Sequence, residues 1–334
     1  MKAELHEAIA LIRAAQRPLL VTHVDPDGDA IGSLLGLGWA LRRLGKSPTL
    51  CSTSGVPSRY AFLPGAEEVV TQPDAGADLL ISVDCADMGR LGLSAEALDA
   101  LRTKPWLNLD HHVTNTTFAT VNLIDTEAVA TAEVVLDVVD ALGVPLDQEI
   151  VTCLLCGLVT DTLGFRTANV TPRVLERAAR LMQAGAPLAT IIEMALNRRP
   201  YSGLCMWAAG LGTMRLEDGI IWAHLSRQAR ATCGPVAGAE TGLVNFLLSA
   251  QEAEIAVLFT EREDGTVDVS MRAKPGHDIS AVATALNGGG HPLAAGCSLV
   301  GPLPEVEARV LGLLRAYLEQ KRNASYVHGA RVPG

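Results

Sequence analysis

Four apolar runs in this chain close on aspartate or histidine, and that repetition constrains the fold more than any other feature. PLLVTHVD (18–25) leads into HVDPDGD, which sets His23, Asp25, Asp27 and Asp29 within seven residues. DLLISVD (78–84) closes on Asp84, PWLNLD (105–110) leads into Asp110, His111 and His112, and CGLVTD (156–161) closes on Asp161. The first three runs read as β-strands. Carboxylates crowded this closely repel one another and have raised pKa values unless a cation neutralises them. Taken singly, HVDPDGD also reads as a solvated acidic turn that caps the next helix, with Asp29 near its N-terminus. Four such endings together argue for a shared site, because an open parallel sheet binds ligands outside the carboxyl ends of its strands, where residues distant in sequence meet. A donor set of Asp and His without Cys suits Mn²⁺ or Zn²⁺ more than Ca²⁺, and the donors suffice for two ions that share a bridging aspartate.

The surrounding pattern predicts the sheet that such a site needs. The first half alternates apolar runs with amphipathic stretches, as in an α/β domain whose mostly parallel sheet carries helices on both faces. Further strands are expected at 47–53 and 117–123, and helices at the N-terminus and over 28–46, 130–143, 147–161 and 171–186. Gly185, Ala186 and Pro187 end the last of these, and the polar stretch LNRRPYSG (196–203) reads as a connector. The second half changes character: GIIWAHLS, AEIAVLFTERE and TVDVSMRAK read as strands, with EDG (263–265) as a hairpin turn. DISAVATALN reads as a helix, NGGGHPLAAG as a glycine-rich loop and EVEARVLGLLRAYLEQKRN as a final amphipathic helix. The expected organisation is a metal-binding domain over 1–187, a linker over 188–208, a smaller mixed α+β substrate-binding domain over 209–325 with the active site in the cleft between the two, and a loose tail over 326–334.

Composition narrows the class of function. The 334 residues suit about two domains, and a chain that is 49% apolar and 19% charged can bury a large core, which excludes disorder for most of it. A net charge of −10 excludes the broad basic surface of a protein that coats long nucleic acid. The best apolar run, Ile150 to Val159, is too short to span a bilayer, and Glu4, His6, Glu7 and Arg13 interrupt any signal-peptide core, so a cytoplasmic location is expected. Seven scattered cysteines favour reduced thiols over a disulfide framework. Cys153 and Cys156, the CxxC pair, lack a second pair at zinc-site spacing and read as buried small residues. Arg59, Tyr60 and Phe62 could stack on a base, but read equally well as core.

HVDPDGDAIGS, SVDCAD, LDHH and GLVTDT resemble, in order and spacing, the four successive motifs of the DHH phosphoesterase superfamily, and with GGGHPLAAG the resemblance spans nearly the whole chain. Within that superfamily the two-domain length is similar to the stand-alone bacterial nanoRNase and pAp phosphatase (NrnA-like) group, which carries a DHH-associated C-terminal domain. The resemblance implies that His23 and Asp27 hold one Mn²⁺, that Asp29, His111 and Asp161 hold the other, and that Asp84 bridges them. It implies that Asp110 and His112 support the metals or contact the scissile phosphate; Asp25 stands where the family pattern is variable. Gly288, Gly289 and Gly290 would let backbone N–H groups approach a phosphate, with His291 as a further donor. Arg272 reads by itself as an exposed strand-edge cation; the resemblance has it pair with a substrate phosphate.

The function implied is hydrolysis of very short oligoribonucleotides and of pAp, by a hydroxide shared between two divalent ions that attacks phosphorus in line. Expected partners are short RNA or small nucleotides, with neither long double-stranded nucleic acid nor a membrane, and a homodimer is the assembly to test. A cyclic di-AMP or linear dinucleotide phosphodiesterase would share every motif. A DHH-type inorganic pyrophosphatase would share the first domain, an exonuclease resembling RecJ should be longer and more basic, and a non-catalytic nucleotide-binding regulator would be expected to have lost ligands.

Overall fold

The computed structural model describes residues 2–234 and 242–329, with side chains as far as 323. The chain divides into two units, Met1–Arg198 and Arg199–Gly334.

In the first unit α1 (Lys2–Ala14) is followed by β1 (Pro18–Thr22), α2 (Gly28–Arg43), β2 (Thr49–Cys51), β3 (Leu79–Val83), α3 (Ala95–Leu101), β4 (Trp106–Asp110) and β5 (Val121–Ile124). Three long helices come next, α4 (Thr131–Leu142), α5 (Gln148–Asp161) and α6 (Pro172–Gln183). The five strands are all parallel, in the order β2-β1-β3-β4-β5. Every residue of β1, β3 and β4 is buried, which is why these runs read as continuously apolar rather than alternating. The chain leaves β1 for β2 on one side and returns to β3 on the other. That reversal opens a crevice at the carboxyl ends of β1 and β3, where a doubly wound sheet binds its ligands.

Helices α2, α4 and α5 pack together over one face, and glycine sets how closely they approach. A Cβ on Gly32 of α2 would stand 2.5 Å from the Cys153 carbonyl of α5. One on Gly157 of α5 would stand 2.6 Å from Oδ1 of Asp29 and 2.7 Å from Cβ of Ala132. Small residues at these crossings bring the start of α2, the start of α4 and the end of α5 to one place. Cys153 and Cys156 lie fully buried in this packing, and Tyr60 is core as well.

The segment 188–208, read above as a linker, is largely helical: α7 (Leu188–Ile192), a π-turn over Glu193–Asn197, then α8 (Tyr201–Leu211). Arg198, Arg199 and Pro200 form the non-helical break between the π-turn and α8, and the division between the units falls there. The second unit continues with β6 (Arg215–Glu217), β7 (Ile220–Leu225), α9 (Arg227–Cys233), α10 (Leu243–Leu247), β8 (Ile255–Glu261), β9 (Thr266–Ala273), α11 (Ser280–Ala285), β10 (Gly289–His291), β11 (Ala294–Val300) and α12 (Leu303–Gly329). Its sheet runs β10-β11-β9-β8-β7-β6, antiparallel except for β7 with β8. Alternate residues face α11 and α12 on one side, and α8 and α10 on the other.

Three expectations are corrected here. NGGGHPLAAG is not a loop but the β10–β11 hairpin; a Cβ on Gly288 would lie 2.2 Å from the Gly296 carbonyl and one on Gly290 2.5 Å from that of Ala294, so close strand approach calls for these glycines. Arg272 is not at a strand edge, because β9 lies between β11 and β8. The cysteines are not all reduced: Cys205 of α8 is bonded to Cys233 of α9, a pairing 28 residues apart that spacing alone does not reveal. The last helix extends into the segment read as a loose tail as far as Gly329, and 330–334 lie outside the described residues. No helix among the described residues is long and apolar enough to cross a membrane.

Candidate metal centre

The strand ends deliver the donors. His23 follows β1, Asp84 follows β3, and His111 and His112 follow β4. Asp84 turns sharply off its strand at φ +56, a conformation that costs a non-glycine residue energy and concentrates at functional sites. Asp27 caps α2, its Oδ1 accepting the N–H groups of Asp29 and Ala30 at 3.0 Å each. Asp29 does not simply cap its own helix. It is fully buried and accepts the N–H groups of Thr131 at 2.5 Å and Ala132 at 2.9 Å, at the start of α4. The N-cap position of α4 is Ala130, which has no side chain to do this work, so Asp29 caps α4 from another helix. Asp161 is the last residue of α5, where the helix dipole disfavours a carboxylate.

These donors converge. Three groups each present ligand atoms within 4.8 Å of one another: His23, Asp27 and Asp84; Asp29, His111 and Asp161; and Asp84, His111 and His112. Nε2 of His23 lies 3.6 Å from Oδ2 of Asp84, and Nε2 of His111 lies 3.7 Å from its Oδ1 and 3.4 Å from Asp161. Asp84 thus faces different histidines with its two oxygens, as a bridging carboxylate must. Both imidazoles are turned by backbone carbonyls: Nδ1 of His23 is 2.7 Å from the Val24 oxygen and Nδ1 of His111 is 3.3 Å from that of Ala128. A carbonyl only accepts, so Nδ1 carries a proton in both rings and Nε2 is the nitrogen turned to the centre.

The charges call for a cation. Burial, followed by the neighbouring charges of Asp84, Asp161 and Asp27, pushes Asp29 well above the usual carboxylate range. Burial and Asp84 raise Asp27, and burial with Asp27 and Asp84 raises Asp161 to about 8. Burial works against Asp84 too, but the hydrogen bond to His23 and the charges of His111 and His112 outweigh it and hold Asp84 below its usual value. Carboxylates that cannot all ionise beside one another become compatible once a divalent ion sits among them. The carboxylate and imidazole donors therefore fit the metal ions implied by the sequence.

Asp110 stands apart from the donor groups. It is fully buried, and its oxygens accept from the His111 N–H at 2.9 Å, from Nδ1 of His112 at 2.7 Å and from Nδ2 of Asn115 at 2.6 Å. It holds His112 rather than facing a ligand, and its hydrogen bond raises His112 to about 9. Asp25 is exposed and in none of the groups. The sequence reading missed three residues. Thr131 donates its hydroxyl to Oδ1 of Asp84 at 2.8 Å, Asn115 orients Asp110, and Arg90 comes within 3.4 Å of His23. A threonine opening a helix reads as a cap, and nothing local marks the other two.

In the second unit, Arg272 pairs with Ala294 and Ala294 with His291, so Arg272 and His291 share one sheet face across a single small residue. Arg272 is half-buried, which lowers its pKa, and its guanidinium donates to the Met271 carbonyl at 2.8 Å. Among the described residues no carboxylate lies within ion-pair distance of it. Gly289 lies on the same face with open space above it, while Gly288 and Gly290 pack against backbone.

Both units match known domain families. Residues 18–158 match the DHH family, N-terminal domain, and residues 236–320 the DHHA1 domain. A bifunctional oligoribonuclease and PAP phosphatase NrnA from Thermus thermophilus is 36% identical, over 95% of this chain and 94% of that protein. The protein of the same name from Bacillus subtilis is 28% identical, over 90% and 93%. Among solved structures, an exopolyphosphatase-related protein from Bacteroides fragilis shares the fold with a TM-score of 0.86 at 22% identity, over 97% of this chain and 98% of that one.

Proposed function

The chain belongs to the DHH family, and from that premise we propose that it is a phosphoesterase that hydrolyses very short oligoribonucleotides and pAp with the help of two divalent ions, Mn²⁺ by preference. The observation that carries the reading is the pair of donor groups, His23 with Asp27 and Asp29 with His111 and Asp161, gathered on either side of Asp84. The relatives named as oligoribonuclease and PAP phosphatase, aligned over nearly their whole length, support the substrate class.

His23, Asp27 and Asp84 would hold one ion, and Asp29, His111, Asp161 and Asp84 the other. Ions bound there would neutralise the carboxylates, polarise the phosphoryl group and make an activated water available near neutral pH. The remaining work falls to side chains. His112, kept protonated at neutral pH by Asp110, can donate to a phosphoryl oxygen as negative charge develops on it. Asn115 and the His111 N–H fix Asp110, so the imidazole is oriented before substrate arrives. Arg272, Gly289 and His291 are the residues we assign to substrate binding in the second unit, with Gly288 and Gly290 shaping the hairpin that carries them: among the described residues the half-buried guanidinium has no carboxylate partner, and together with an imidazole on the same face it suits an anionic group.

The test is product release from a diribonucleotide, a longer RNA, pAp, cyclic di-AMP and pyrophosphate, with Mn²⁺ and with EDTA. Turnover of the diribonucleotide and pAp, abolished by EDTA and restored by Mn²⁺, is the expected result. Preference for cyclic di-AMP or pyrophosphate would overturn the substrate assignment, and restoration by another ion alone would overturn the choice of Mn²⁺.

A further inference from the structure

Arg90 is the charged group at the centre with no role so far. It lies on the short helical turn Met88–Leu91 that follows β3, and that turn is pinned from several sides. The Val24 N–H donates to the Arg90 carbonyl at 2.7 Å, the Thr53 hydroxyl donates to the Leu91 carbonyl at 3.1 Å, and Leu91 is fully buried. Gly92 leaves the turn at φ +63, and a Cβ there would stand 2.4 Å from Val24 Cγ1. The exposed guanidinium therefore stands on a rigid base at the end of β1.

Nη2 of Arg90 lies 3.4 Å from Nδ1 of His23, yet that nitrogen cannot accept from it. Nδ1 donates to the Val24 carbonyl, so two donors face each other. Among the described residues no carboxylate pairs with Arg90, whereas Arg42, Arg43, Arg173, Arg177 and Arg180 of the same unit each have one. A guanidinium at the rim of a carboxylate-rich centre that pairs with none of its carboxylates is available for an anion that arrives there. It stands next to His23, which faces Oδ2 of Asp84, while His112 lies toward Oδ1.

We infer that Arg90 is a further catalytic residue, one that binds a phosphoryl oxygen of the substrate at the metal centre and stabilises the charge that grows there in the transition state. The inference rests on the phosphoesterase reading above. A fork of fixed donors suits phosphate better than a single ammonium does, so lysine should replace it only in part.

The experiment compares wild type, Arg90→Gln and Arg90→Lys for kcat and KM on pAp and a diribonucleotide. Calorimetry of the same proteins measures Mn²⁺ affinity and the binding of inorganic phosphate to the Mn²⁺-loaded form. Arg90→Gln should lower kcat/KM by about 10²-fold on both substrates and weaken phosphate binding by about tenfold. Mn²⁺ affinity should stay close to wild type, and Arg90→Lys should recover part of the loss. Wild-type turnover together with unchanged kcat/KM in Arg90→Gln would overturn the inference and leave the phosphoesterase reading standing. Mn²⁺ affinity falling in step with activity would also overturn it, making Arg90 a support for His23. If wild type turned over neither substrate, the phosphoesterase reading would fail, and equal phosphate binding by wild type and Arg90→Gln would dispose of Arg90 as an anion site.

Discussion

Replacing Thr131 by valine tests how the proposed bridging ligand is held. Thr131 is fully buried and its hydroxyl donates to Oδ1 of Asp84 at 2.8 Å. Valine keeps the volume and the backbone N–H that Asp29 accepts, and removes that one donor. Among the described residues, Oδ1 of Asp84 would then keep His111 and His112, each at 3.7 Å. A hydrogen bond to a charged group is worth about 1.5–3 kcal/mol, and the loss of a residue that orients a metal ligand lowers affinity by about 10- to 100-fold. The two figures describe the same free energy, so Thr131→Val should bind Mn²⁺ about 10- to 100-fold more weakly in a calorimetric titration of the metal-free protein. Thr131→Ser, which restores the hydroxyl, should return affinity to near wild type. Wild-type affinity in Thr131→Val would refute the reasoning, as would a serine variant as impaired as the valine one, since the effect would then be one of shape.

Gly157→Ala forces a methyl to within 2.6 Å of Asp29 and 2.7 Å of Ala132; it should destabilise the protein by about 1–3 kcal/mol in urea unfolding and weaken Mn²⁺ binding, and an unchanged midpoint would contradict the packing described. Asp84→Ala should lower hydrolysis by at least about 10³-fold while far-UV circular dichroism stays native, and an active variant would end its assignment as the bridge. The metal-free protein should lose stability as pH rises from about 4 to about 8. Asp161 gives up its proton near 3.8 when unfolded and only near about 8 when folded, so the folded state binds more protons throughout that window. His112, raised from 6.5 to about 9, acts in the same direction at the upper end. Urea midpoints in EDTA at pH 5 and pH 8 measure this; Mn²⁺ should narrow the difference, and a metal-free protein more stable at pH 8 would contradict the charge balance.

Much of the fold was legible because buried parallel strands leave continuous apolar runs, and the chain must turn where those runs stop. PLLVT, LLISV and WLNLD could be read as strands, and the polar residues that follow them as one edge, without knowing the strand order. The glycine-rich NGGGHPLAAG was less legible. Glycine marks both phosphate-binding loops and strands that approach closely, and only the packing of Gly288 and Gly290 against the backbone of β11 separates the two. Arg272 shows the same limit, since whether a strand lies at an edge is a property of the sheet and not of the strand.

By itself the sequence determined which residues could serve as metal donors and that they lie at the ends of elements, because local chemistry and apolar periodicity are properties of short segments. Only the tertiary structure decided that Asp29 caps α4 from another helix, that Thr131 holds Asp84, that Asp110 is enclosed by three hydrogen bonds, and that Arg90 stands beside His23 with no carboxylate partner among the described residues. Each of these depends on a distance between segments that are remote in the chain. Such distances are set by the strand order β2-β1-β3-β4-β5 and by helices brought together at glycine, and no local pattern encodes them.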